Sequence, residues 1–187
     1  MNKRWITALV LTTTIATTRP AASQDAGRFG VTLAVPAALG FIWHATDNMA
    51  FRPELNLSTS SATSSTSFLG GDSPTSNGRT WGIAVSAPFY MASQDNVRAY
   101  ISPRVGYTRL TNDDEFMGTT LRSTSTQMAY SGSFGAQYAP VRRFNVFGET
   151  GVWYASSTST ADGAGGTSKV HGWSLRSAVG VILYFGR

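Results

Sequence analysis

The chain has 187 residues, a formal net charge of +5, a pI near 9.9, no cysteine and only 13% charged residues. Soluble domains carry roughly 25% charged residues, so an ordinary charged, water-facing surface is excluded, and without cysteine so are a disulfide framework, a thiol nucleophile and a cysteine zinc site. The positive balance does not imply nucleic acid: Lys3, Arg4 and Arg19 crowd the start with no acid among them, and the only later basic run is Arg142–Arg143.

Residues 1–23 read as a signal peptide: a basic start, an apolar stretch from Trp5 to about Ala16, then small residues, with Ala21 and Ser23 at the −3 and −1 positions before Gln24. The alternative is a poorly ordered tail. The apolar stretch is too short to span a bilayer as a helix, which takes about 20 residues. No cysteine follows the cleavage point to anchor a lipid. Residues 24–187 are then a single barrel domain.

That domain alternates with period two almost throughout. "RFGVTLAVPAALGFIWHA" (28–45) is one strand or two; Pro36 removes a ladder donor and favours a break. Six further strands follow at 49–60, 79–92, 97–110, 122–139, 144–157 and 170–185. The clearest, "TWGIAVSAPFYM", sets Trp81, Ile83, Val85, Phe89 and Met91 against Gly82, Ala84, Ser86 and Tyr90. Tight connections (46–48, 93–96, 140–143) alternate with long Gly/Ser-rich ones (58–78, 111–121, 156–168). An up-and-down antiparallel sheet closes with an even strand count, so two strands at 28–45 and eight in all are expected. The fold class is therefore all-β: a closed up-and-down antiparallel transmembrane β-barrel of eight strands. The first two strands, about eight residues each, rise only about 20 Å against a usual band of about 25 Å, so the rim should be low there.

Arg52, Glu54, Arg98, Arg104, Glu149 and Arg176 all fall on the polar phase of their strands. An arginine facing lipid at mid-bilayer costs about 2–4 kcal/mol, so the apolar phase is expected to face hydrocarbon and the polar phase to fill the interior. Arg109 breaks phase, where its strand approaches the interface. Eight strands leave room for packed side chains and little else. The six charges are therefore expected to form a buried network that plugs the lumen.

With these residues the chain resembles the small outer-membrane β-barrel family, which includes the OmpA transmembrane domain, the OmpX/Ail group and the opacity-like proteins. "FRPELNLS" (51–58) and "FNVFGETGVWY" (144–154) are similar to that family's strands with inward charges, and the likeness runs over about residues 27–187. It implies an outer-membrane location after export, and outer-membrane lipid and lipopolysaccharide as partners. It also implies a monomer whose C-terminal strand 172–185 is read by the barrel assembly machinery. Here Phe185 is followed by Gly186 and Arg187, a departure from the family's aromatic last residue.

Trp81, Tyr107, Tyr130, Tyr138, Phe144, Tyr154, Trp173 and Phe185 fall near strand ends on the outward phase and suit interfacial aromatic girdles. His44 and His171 are the only histidines and lie towards opposite ends of the barrel, in no catalytic motif. Asp113, Asp114 and Glu115 read as a solvated acidic loop, and Gly163, Gly165 and Gly166 as loop glycines rather than a phosphate cradle. No cofactor, metal or catalytic residue is expected. The expected role is structural or adhesive, with Ser/Thr/Gly-rich loops on the surface. The alternatives are a narrow pore, a barrel enzyme acting on lipid A or peptides, and a soluble lipocalin-like carrier with the apolar phase inside.

Overall fold

The computed structural model describes residues 26–36, 38–63, 75–116, 119–162 and 166–185, and every regular element among them is a β-strand. In chain order these are β1 (Phe29–Val35), β2 (Ala38–Thr46), β3 (Met49–Thr63), β4 (Thr75–Ser86), β5 (Phe89–Gln94), β6 (Val97–Phe116), β7 (Thr119–Val141), β8 (Phe144–Ala161) and β9 (Thr167–Phe185). β4 and β5 are two lengths of one stave. Both lie between β3 and β6 and are parted only at Ala87–Pro88, where proline has no N–H to give the ladder. Nine segments therefore make eight staves.

Each stave pairs antiparallel with its neighbours in sequence, and β9 pairs with β1 from Phe29 opposite Phe185 to Val35 opposite Val179. That last pairing closes the barrel, and the expected fold class is the one observed. The chain also divides at Pro36 as expected. β1 and β2 have 7 and 9 residues against 23 in β7, so the rim is low at that hairpin.

Of the three long connections expected, those at 111–121 and 156–168 are largely strand instead, and the one at 58–78 is strand at both its ends. β3 continues to Thr63 and β4 starts at Thr75; β6 continues to Phe116 and β7 starts at Thr119; β8 continues to Ala161 and β9 starts at Thr167. Asp113, Asp114 and Glu115 accordingly belong to β6 and not to a loop. The alternation that marks a half-buried strand is lost here because both faces of the extension meet water. Serine and threonine still hold the ladder and link across it. Ser125 and Ser157 hydroxyls are 2.9 Å apart, and the Ser159 hydroxyl donates to that of Ser125 at 3.0 Å. The expected signal peptide at 1–23, Gly163, Gly165 and the Gly186–Arg187 overhang lie outside the described residues.

The inward side chains divide the bore into two halves. In the lower half, towards the β2–β3, β5–β6 and β7–β8 turns, Ile42, Ala50, Tyr90, Tyr100, Phe147, Ile182 and Tyr184 form a buried cluster. Further up, inward positions such as Gly106, Ala129, Ser131 and Ala155 are small and half-exposed. The lower half fits only because glycine stands where a ring crosses the bore. A Cβ on Gly135 would lie 2.5 Å from the Tyr100 ring, and one on Gly180 would lie 2.6 Å from the Phe147 ring. Gly135→Val should therefore destabilise the barrel by about 1–3 kcal/mol through overpacking. Urea unfolding of the refolded protein measures this, and an unchanged midpoint would show that Tyr100 is not held against that wall.

Candidate functional site

The lumen charges arise from strand periodicity. Arg52 and Glu54 are two residues apart on β3 and so share its inner face, and Arg104 on β6, Glu149 on β8 and Arg176 on β9 point inward by the same rule. Their side chains meet in a chain of alternating sign. Arg104 Nη2 donates to Glu54 Oε2 at 2.6 Å; Glu54 Oε1 lies 3.0 Å from Arg52 Nε; Arg52 Nη2 donates to Glu149 Oε2 at 2.8 Å; Arg176 Nη1 donates to Glu149 Oε1 at 2.7 Å. The Tyr100 hydroxyl donates to Glu149 at 3.2 Å, Arg52 Nε donates to the Ser86 hydroxyl at 3.1 Å, and the Arg52 guanidinium lies over the Phe147 ring. Arg52, Glu54 and Glu149 are buried, and the Arg104 and Arg176 side chains are 15% exposed.

Arg98, expected in this network, is elsewhere. It sits at the turn end, donates to the backbone carbonyl of Asp47 and lies 3.9 Å above the Tyr90 ring. The cause is position: Arg98 is the second residue of β6, three inward steps below Arg104. Its departure leaves three arginines against two carboxylates in the ladder.

Below the ladder is a second polar layer that sequence reasoning did not assemble. His44 Nε2 and the Tyr184 hydroxyl are 2.9 Å apart. Gln137 Nε2 donates to the Tyr184 hydroxyl at 3.2 Å, and the Tyr90 hydroxyl donates to Gln137 Oε1 at 2.8 Å. His44 stacks on Tyr90, and the Arg28 guanidinium lies over Tyr184. Tyr90, Gln137 and Tyr184 fall on the polar phase of their strands, but the partners lie on different strands and periodicity does not pair them.

His171 is far from this layer, on the outer face of upper β9 and opposite Ser156 of β8. The outward neighbours around that pair are Tyr154, Thr158, Lys169 and Trp173, none of them a carboxylate. Asp113, on the outer face of β6, accepts from Arg122 Nε at 2.7 Å, and that hydrogen bond holds its carboxyl below the ordinary value. Among the described residues no group of three or more His, Asp or Glu side chains could hold a metal ion.

The outward face carries the second feature, an apolar belt with aromatic margins. Strand by strand, Leu57, Trp81, Tyr107, Tyr130, Tyr154 and Trp173 mark its upper edge; beyond them the outward residues become Thr59, Arg79, Arg109, Met128, Ser156 and His171. Arg109 thus breaks phase just above the Trp81–Tyr107 contact. Tyr107 and Tyr130 were expected near strand ends but lie mid-strand, because the staves continue past the belt. The lower edge runs through Phe185, Phe29, Trp43, Phe51, Phe89, Tyr138 and Phe144. Phe29, Trp43 and Phe51 stack in a row, with centroids 6.5 and 6.1 Å apart. Pro36 interrupts the alternation in 28–45, so the sequence pattern there marks a break more clearly than an outward aromatic row. From Phe144 to Tyr154 the belt spans about 25 Å, taking about 3.3 Å per residue and a tilt of about 40°.

The ladder sets a hierarchy of stability effects. Glu149→Gln leaves Arg52 and Arg176 short of a counter-charge in the bore and should cost about 3–5 kcal/mol. Asp113→Asn, which breaks only the exposed pair with Arg122, should leave stability unchanged within error. Equilibrium urea unfolding of both variants in the same detergent checks the order, and equal effects would mean that the ladder does not hold the lumen together.

The sequence matches no family profile and no curated protein. Solved structures do match. A major outer membrane protein from Thermus thermophilus superposes with a TM-score of 0.55 at 14% identity, over 84% of this chain and 98% of that one. CarO of Acinetobacter baumannii gives 0.45 at 12% identity over 86% and 98%. Ail, the attachment invasion locus protein of Yersinia pestis, gives 0.42 at 11% identity over 84% and 94%. The first of these shows that this chain shares its β-barrel fold with a protein of known structure.

Proposed function

We propose that the chain is an integral outer-membrane protein without enzymatic activity. In this reading its lower lumen is plugged by side chains, and its extended Ser/Thr-rich walls form a surface structure for contact or adhesion. The apolar belt carries the proposal. Among the described residues thirty-one large hydrophobics are exposed, with Trp173 at 74% and Leu175 at 83%. In the strands they fall chiefly on the outer face, and a monomeric soluble protein rarely exposes a contiguous apolar patch beyond about 300–600 Å². Hydrocarbon about 25 Å thick between two aromatic margins is the medium that such a surface fits. The inverse arrangement, a soluble carrier with an apolar interior, is at odds with an interior of arginine, glutamate, glutamine and histidine.

The finer parts of the reading rest on the sequence and on the family resemblance, with the belt and the lumen as support. Residues 1–23 act as the export signal, and the strand 172–185 is the segment the assembly machinery reads. Lipid and lipopolysaccharide are the partners of the belt, and the barrel is a monomer of the type of the OmpA transmembrane domain, OmpX and the opacity-like proteins. The buried lower cluster argues against a pore. The separation of His44 inside from His171 outside argues against a histidine-centred catalytic site.

Membrane fractionation with gel mobility before and after boiling tests the proposal. The mature protein should fractionate with the outer membrane and run faster when unheated. A detergent-independent soluble protein would overturn the location, and steady single-channel conductance in a planar bilayer would overturn the plug.

A further inference from the structure

Among the described residues the charge ladder has an excess of positive charge that no neighbouring carboxylate balances. It runs Arg104, Glu54, Arg52, Glu149, Arg176, so it begins and ends on arginine and carries three positive charges against two negative ones. An arginine has five N–H donors, and two carboxylates cannot satisfy three of them. The shortfall shows at one level of the bore. Arg104 Nε is buried without a hydrogen-bond partner, and so is the indole Nε1 of Trp153.

These groups lie together. Arg104 is opposite Ser131 on β7, Ser131 is opposite Trp153 on β8, and Trp153 is opposite Ser174, two residues from Arg176 on β9. All are on the inner face, and Arg104 feels the positive charge of Arg176. This is also the level at which the bore opens. Below it the inward residues Ser102, Ser133 and Glu149 are buried; Ser174 on this level is exposed, and above it Gly106, Ala129 and Ala155 are half-exposed and Gly172 is exposed. Surplus positive charge, donors lacking acceptors and access from the loop end thus coincide. Among the described residues no carboxylate other than those of the ladder points inward at this height.

We propose that the floor of the upper lumen is a binding site for one small oxyanion, a phosphate-, sulfate- or carboxylate-type group, held by Arg104, Arg176 and Trp153. The ligand is small because eight staves leave room for side chains or a single compact group. Its negative charge completes the alternation, and its oxygens accept from guanidinium and indole donors. Charge-assisted bonds of this kind are the strong ones. The proposal stands on the lumen geometry and holds for the barrel in detergent as in a membrane.

The test is calorimetric titration of sodium sulfate into the full-length mature barrel in a neutral detergent, at constant ionic strength. Saturable binding at one site per barrel is expected. Trp153→Phe keeps an aromatic ring and the charge and removes the indole N–H, and it should weaken binding about tenfold. Arg176→Gln should abolish saturation. Arg98→Gln removes the same charge outside the ladder and should bind as the parent does. Unboiled gel mobility confirms that each variant is folded. A second arm repeats the titration in nanodiscs with and without lipopolysaccharide. Competition assigns the natural oxyanion to a lipid phosphate, and its absence to a free solute. The site is overturned if the parent shows no saturable binding, or if Trp153→Phe and Arg176→Gln both bind as tightly as the parent.

Discussion

Everything in this molecule depends on the pairing of β1 with β9. A strand edge presents a row of N–H and C=O groups that must find partners, and an open sheet in hydrocarbon has none to offer. Seven register pairs from Phe29–Phe185 to Val35–Val179 remove both edges at once. Closure then requires an even number of staves. That explains why Pro36 sits at a connection, while Pro88 is accommodated as a break inside one stave. It also fixes the bore. Once the stave number is set, every inward side chain must fit a cylinder of given width. Tyr100 and Phe147 can cross it only because Gly135 and Gly180 stand where their rings come to rest.

Within that cylinder the polar residues are arranged for mutual satisfaction. A buried ion pair is weak evidence for stability, since taking two charges out of water offsets much of their attraction. What the ladder supplies is order. Each carboxylate of Glu54 and Glu149 is shared between two arginines on different staves, so five side chains on four staves fix one another's rotamers. The layer of His44, Tyr184, Gln137 and Tyr90 does the same near the turns. Both layers lie in the lower bore, where the inward residues are buried, while inward residues of the upper bore are small and more exposed.

Most of the fold was legible because a half-buried strand writes its orientation into every second residue. Ile83, Val85 and Phe89 against Ala84, Ser86 and Tyr90 show a strand, its phase and its outward face. The same rule placed Arg52, Glu54, Arg104, Glu149 and Arg176 inside. It failed where its physical basis fails. The extensions at 59–63, 111–116 and 156–161 are wet on both faces, so they carry no alternation and looked like loops. It also could not see height: Arg98 shares a phase with Arg104 but sits too near the turn to join it. The inward positions of Ile42 and Phe147 are harder to read for a related reason. The buried inward cluster includes apolar side chains, so residue type alone no longer separates the faces.

The low hairpin has a consequence for how the barrel would sit in a bilayer. From Phe29 to Val35 the apolar wall rises about 15 Å, whereas from Phe185 to Trp173 on the adjoining stave it rises about 30 Å. A lipid sheet of uniform thickness cannot match both. Mismatch of this kind is relieved by leaning the protein or thinning the sheet locally. In a bilayer the first two staves would thus make the barrel a wedge, short on the side where the chain turns at Pro36.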